Sequence, residues 1–295
     1  MIGKTLSYLR EEKGYSLRDV SNDILSPSQL RRIENNSQIP SADKFIHLLY
    51  RMNITFEEFC LFTEDEYINI RIKLDVQIGE TLRKRDVQLM QKLIGQLDVY
   101  YEKYKDIYFY HIKCVLKAHI SLIKCKDYTQ ARIELNDVKE YLFSIENWFL
   151  YELTLFNNTL FVYELDTAIS LGNHALKSIE KRYSDLKDDE VTRRLLNNLA
   201  VYTLSGERYY MQSYRYSSTS IGLPHSTKHI YSIIFAKIVN QVACYKLQNN
   251  QYDFDYLTDL LNLFIVMNMD SVYNEISEFL ESHGIKLKEK DFNTD

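Results

Sequence analysis

Along the first sixty residues, apolar positions fall in short stripes of helical spacing, each opened by its own start signal. Ile2, Leu6 and Leu9 form a stripe that stops at Gly14, a natural helix end. Ser16-Leu17-Arg18-Asp19 is an S-x-x-D start, followed by Val20 and Ile24 on one face. A second start comes at once. In Ser26-Pro27-Ser28-Gln29 a capping serine precedes a proline at the first helical position and a glutamine at the third, with Leu30 and Ile33 turned inward. Pro40-Ser41 opens a fourth helix carrying Phe45, Leu48, Leu49 and Met52, and Thr55-Phe56-Glu57-Glu58 caps a short fifth. Five short helices, the second and third joined by a tight turn, make a helix-turn-helix arrangement.

After Thr63-Glu64-Asp65-Glu66 these capped stripes give way to long apolar-periodic runs. The chain therefore divides into a helix-turn-helix domain over 1–62, a connecting segment over 63–78 whose helix starts near 66, and a second domain over 79–295. In that domain Lys126-Asp127-Tyr128-Thr129-Gln130-Ala131-Arg132 reads as the start of the second helix of a tetratricopeptide unit. Comparable starts fall at Leu165-Asp166-Thr167-Ala168, near Glu207-Arg208-Tyr209-Tyr210 and near Gln251-Tyr252. Steps of roughly 40 residues are the size of one helical hairpin, so the second domain reads as an α-solenoid.

Composition agrees. With 8 Gly and 3 Pro in 295 residues, the chain has few turn formers, which favours long helices and an all-α fold. The 24 Tyr and 14 Phe are read mostly as core. A net charge of -5 argues against a protein that coats nucleic acid everywhere, but leaves room for a local basic patch at Arg18, Arg31, Arg32 and Lys44. The N-terminus has no signal-peptide core and no apolar run reaches membrane length, so a cytoplasmic protein with no membrane contact is expected. The longest such run, Leu263-Phe264-Ile265-Val266-Met267, reads as a buried helix segment. Cys60, Cys114, Cys125 and Cys244 show no CxxC spacing and read as reduced, buried thiols.

No glycine-rich phosphate loop or nucleophile elbow occurs, so neither an enzyme nor a cofactor is expected. His225 and His229 are spaced for a metal on a helix, but Ser226 stands where a zincin glutamate would, and no metal site is expected. His111, Cys114 and His119 share a face best explained by packing.

The recognition helix is predicted over Pro27–Asn35, its first turn facing the major groove. Ser26, Ser28 and Gln29 are then base-edge candidates, with Arg31 and Arg32 behind them and Arg18 and Asn35 flanking. Ser26 and Gln29 equally fit a capping box and nothing more. The arginines could also form a solvated face, but paired guanidiniums are what phosphate and guanine recognition require, and that reading is preferred. In the second domain three apolar segments carry asparagines, with Asn157-Asn158, Asn197-Asn198 and Asn240 at solenoid spacing. Stacked repeats could present such amides to an extended peptide backbone. They equally fit bonds to adjacent helices.

The N-terminal domain resembles the Xre-type domain of phage repressors, in which an arginine late in helix 1, here Arg10, pairs with a glutamate ending helix 3, here Glu34. More specifically, Ser16-Leu17-Arg18-Asp19-Val20, the run Leu25–Glu34, Asn53-Ile54-Thr55-Phe56-Glu57-Glu58-Phe59 and Leu155-Phe156-Asn157-Asn158-Thr159-Leu160 are similar to the Rgg family of Gram-positive bacteria. That resemblance implies a homodimeric regulator that binds double-stranded promoter DNA and responds to a short secreted signalling peptide in the solenoid groove. By motif the peptide would meet Asn158, Asn198 and Asn240, with Tyr202 and Trp148 as further groove candidates. Two departures stand out. Arg31 replaces the serine usual in the family, and Ala42 stands where some members carry a cysteine that links their DNA-binding domains. The competing readings are an orphan helix-turn-helix repressor without a peptide ligand, and a solenoid adaptor.

Overall fold

The computed structural model describes residues 2–183, 190–224 and 227–286, and every regular element among them is helical. The chain forms two compact units, Met1–Met90 and Gln91–Asp295.

The first unit begins with α1 (Ile2–Glu12), α2 (Leu17–Ser21), α3 (Pro27–Glu34), α4 (Ala42–Arg51) and α5 (Phe56–Phe62). Their starts are the capped positions predicted. Ser16 and Ser26 each close a full capping box, and Thr55 Oγ1 accepts from the Glu58 amide at 3.0 Å. Ser41 precedes α4 without a side-chain cap bond. Gly14 follows α1 in the left-handed region, at φ 70°, where a side chain would be strained. Leu6, Leu9, Val20, Leu30, Ile33, Leu48, Leu49, Met52, Ile54 and Phe59 form one buried core. Gly3 permits a close approach of a different kind. A Cβ there would lie 2.0 Å from the Ile33 carbonyl, so only glycine lets α1 sit against the end of α3.

The predicted connecting helix is longer than the sequence suggested. α6 runs Glu66–Lys84, started by Asp65, whose carboxylate accepts from the Ile68 amide at 3.1 Å. It belongs to the first compact unit, whose limit at Met90 lies beyond the predicted boundary. The reason is its ending: Arg85 takes the left-handed conformation (φ 53°), with no glycine or proline to announce it.

The second unit follows α7 (Val87–Tyr104), which spans the division, with α8 (Ile107–Cys125), α9 (Tyr128–Glu134), α10 (Asn136–Ser144), α11 (Leu150–Thr159), α12 (Leu165–Tyr183), α13 (Glu190–Thr203), α14 (Tyr210–Gly222), α15 (Ile230–Lys246), α16 (Phe254–Val266) and α17 (Asp270–Ser282). The predicted second-helix starts correspond to α9, α12, α14 and α16. Asp127 and Asp253 cap α9 and α16, and a 3-10 turn over Glu207–Tyr209 leads into α14. Chain neighbours pack pairwise from α12 onward, and α13 touches both α11 and α15. Helices α11, α13 and α15 thus lie side by side as one layer of the solenoid, with α8 joined to α11 through His111 Nδ1 and the Tyr151 hydroxyl at 2.7 Å.

Two expectations need correction. The Leu263–Met267 run is not wholly buried: Phe264 is enclosed, but Leu263, Val266 and Met267 are exposed, because the stretch winds through a full helical turn and only part of it faces the core. Cys60, Cys114 and Cys244 are buried, whereas Cys125 at the end of α8 is exposed. No described helix is long and apolar enough to cross a membrane.

Candidate functional site

α3 is held at its tail by a buried ion pair. The Arg10 guanidinium donates from Nε to Glu34 Oε1 at 2.6 Å and from Nη2 to Glu34 Oε2 at 2.8 Å, a two-pronged bond with both residues under a tenth exposed. Arg10 also donates to the Tyr15 carbonyl at 3.0 Å, and the Gly3 amide donates to Asn36 Oδ1 at 3.0 Å. The glutamate pushes the Arg10 pKa above its ordinary value, against the pull of burial. Its charge is therefore permanent, and the pair serves the fold.

The candidates for reading DNA run along the exposed side of α3, from its head to its C-cap. Ser28, Arg31, Arg32 and Asn35 are exposed, as is Arg18 on α2. Asn35 is the C-cap of the helix. Ser26 and Gln29 do form the capping box. Ser26 Oγ accepts from the Gln29 amide at 3.2 Å, and Gln29 Oε1 accepts from the Ser26 amide at 3.0 Å. Ser26 Oγ further lies 3.0 Å from Ser28 Oγ and 3.3 Å from Gln29 Oε1. Ser26 is thus engaged on both sides by its own helix start.

In the second unit the asparagines divide into two kinds. Asn157 and Asn197 are buried and tie helices together. Asn197 Nδ2 donates to the Ser232 carbonyl at 2.8 Å, and its Oδ1 accepts from Ser220 Oγ at 2.7 Å. Asn158 and Asn198 are half-buried on the neighbouring helices α11 and α13. Asn198 Nδ2 donates to Asn157 Oδ1 at 3.0 Å, one residue before Asn158. Asn157, which the sequence sets beside Asn158, thus bonds to a neighbouring helix. His119, expected to pack, has its Nε2 3.4 Å from the Asn158 carbonyl and its ring edge-on to Phe161 at 4.8 Å.

Of the remaining groove candidates one is buried, against expectation, and two are half-buried with polar groups bonded to the chain. Trp148 is 1 % exposed, and its indole donates to the carbonyls of Leu142 and Ile145, so it fills the core beneath the turn between α10 and α11 and lines no open face. Asn240 donates to Ser217 Oγ at 3.0 Å and Ser218 Oγ at 2.9 Å, which commits its amide to α14. The Tyr202 hydroxyl donates to the Tyr163 carbonyl at 2.5 Å, and burial raises its pKa. Its half-buried ring stays beside Asn198 in sequence, but its polar end is bound to the chain. Of the histidine pair, His225 lies outside the described residues and His229 is buried.

Residues 91–278 match the family described as HTH-type transcriptional regulator Rgg, C-terminal domain, and residues 6–59 match the helix-turn-helix family. Among solved structures, the SHP pheromone receptor Rgg2 of Streptococcus dysgalactiae is 22 % identical over 96 % of this chain and 99 % of its own, with a TM-score of 0.72. A transcriptional regulator from Listeria monocytogenes is 17 % identical, covering 97 % and 99 %, with a TM-score of 0.77. PlcR of Bacillus thuringiensis, solved with the peptide PapR7 and DNA, is 17 % identical, covering 93 % and 98 %, with a TM-score of 0.68. At such identities these likenesses speak for the fold. The match over 91–278 covers more than half of the sequence, and with the helix-turn-helix unit ahead of it the chain belongs to the Rgg family of transcriptional regulators.

Proposed function

We propose that this regulator binds promoter DNA through α3 and that a short peptide lying along α11 and α13 controls its output. The observation that carries the peptide reading is the pair of half-buried amides at Asn158 and Asn198, one repeat apart on the contacting helices α11 and α13. Side-chain amides both donate and accept, so a row of them suits an extended backbone as a neighbouring strand would. The structural relative PlcR is known with both a peptide and DNA, which supports the same pair of partners here. Exposed Arg18, Arg31 and Arg32 supply the cations for phosphate and base contacts. We place the protein in the cytoplasm as a homodimer built through the solenoid, for which exposed Leu263, Val266 and Met267 on and just after α16 offer apolar surface. Two recognition helices would then meet half-sites roughly 34 Å apart.

Calorimetry of the purified full-length chain against size-fractionated culture peptides tests the reading. A saturable heat is expected, weakened about tenfold or more by Asn158→Ala, because a peptide group would lose its buried partner. A heat that Asn158→Ala and Asn198→Ala leave unchanged would remove the amide row from the binding site.

A further inference from the structure

The capping box at the head of α3 has a consequence for which base Gln29 can read. A carbonyl oxygen has two acceptor positions. On Gln29 Oε1 the Ser26 amide takes one at 3.0 Å, and the Ser26 hydroxyl lies at 3.3 Å from the same atom. The assignment of oxygen and nitrogen follows from chemistry, since the Ser26 N–H can only donate and must face the oxygen. The oxygen is therefore turned back into the helix start. Nε2 keeps both of its protons, with no acceptor in the chain among the described residues.

The usual glutamine contact to adenine is bidentate, with the side-chain oxygen accepting from N6 while the nitrogen donates to N7. Gln29 cannot make that contact while the box is closed. Guanine presents N7 and O6, two neighbouring acceptors, and thymine presents O4. We propose that Gln29 reads DNA as a donor only, and that at the base it meets in the major groove it selects guanine, with two acceptors, over adenine and thymine, with one acceptor each at N7 and O4. This inference rests on α3 being the DNA-reading helix. It adds the chemical identity of one contact.

The test is selection of bound duplexes from a randomised DNA library by the purified full-length chain, compared with Gln29→Glu and Gln29→Met. Glutamate at this position keeps an acceptor for the Ser26 amide, so the cap survives, but it replaces the donor by a second acceptor. At one position of each half-site the parent should enrich guanine over adenine by about tenfold. In Gln29→Glu that same position should turn to cytosine, whose N4 donates, while the other positions keep their preferences. The added carboxylate weakens binding to all sequences alike, so base preference is the readout. Should Gln29→Glu bind nothing, Gln29→Met carries the test, and its preference must flatten at that position alone.

Adenine enriched over guanine at a position that Gln29→Glu loses would overturn the proposal, because that preference needs the bidentate contact and so an open box. A site identical in the parent and both variants would overturn it as well, leaving Gln29 a cap and the DNA reading of α3 intact. No enrichment at any position would overturn both the proposal and the assignment of α3 as the reading helix.

Discussion

Glu34→Ala removes one half of a charge pair that the fold has enclosed. Arg10 and Glu34 are 8 % and 7 % exposed and share two bonds of 2.6 and 2.8 Å, so the variant leaves a guanidinium in the interior without its counter-charge. Breaking a buried pair from one side costs about 3–5 kcal/mol. Here the lower end applies, because Arg10 keeps the Tyr15 carbonyl at 3.0 Å and the Glu11 carboxylate at 3.0 Å. A loss of about 3 kcal/mol is a large share of the stability of a small domain. Trp148 is the single tryptophan and lies in the second unit, so two probes separate the units. In urea, far-ultraviolet circular dichroism should show an early transition moving to lower denaturant, while tryptophan fluorescence keeps its midpoint. Glu34→Gln, which retains an acceptor for the guanidinium, should cost clearly less. An early transition that moves by under about 1 kcal/mol, or equally in both variants, would refute the view that a desolvated charge pair clamps α1 to α3.

Three further outcomes are expected. Arg31→Ala and Arg32→Ala should each weaken operator binding by about 1–3 kcal/mol with an unchanged melting temperature, and equal binding by both in a gel-shift titration would move the reading face elsewhere. Asn197→Ala should lower stability by about 1–3 kcal/mol, since it strands the Ser232 carbonyl and the Ser220 hydroxyl, whereas Asn198→Ala should reduce peptide affinity more than stability. The reverse pattern in paired melting and calorimetry experiments would exchange their roles. His111 is 2 % exposed, and burial depresses its pKa below the ordinary 6.5 despite the opposing pull of Asp137 and Asp106. The unfolded chain therefore takes up the proton first, and stability should fall as pH drops through 6.5 toward the lower folded value; His111→Gln should flatten that slope, and an unaltered slope assigns it to other groups.

The helix-turn-helix unit was legible because its signals are local. A capping serine, a proline one residue later and Gly14 act within a turn of where they stand, so the starts of α2 and α3 could be read residue by residue. The second unit gives fewer such signals. Arg85, Lys105 and Lys126 occupy the left-handed conformation that glycine usually takes, and nothing in a lone arginine or lysine marks that role. This is why α6 was read short. The groove candidates fared according to how far away their partners lie. Repeat spacing picked out Asn158, Asn198 and Asn240, all three half-buried, but gave no sign of the internal partners of Asn198 and Asn240. Trp148 was misread because what holds it, the carbonyls of Leu142 and Ile145, comes from a turn that only folding brings together with it.

The polar anchors of α3 all lie at its tail, where Arg10 grips Glu34 and the Gly3 amide grips Asn36. Its head is fastened by bonds internal to the helix start, between Ser26 and Gln29. Leu30 and Ile33 bury the inner face of α3 in the shared core, so the whole helix is fixed by packing while its polar bonds to the rest of the unit gather at the tail. The head presents its capping box as part of a rigid element, which suits side chains that must meet a partner at a set geometry. Residues at the tail and on the buried face therefore set where the helix stands, which leaves the exposed positions free to change without cost to the fold.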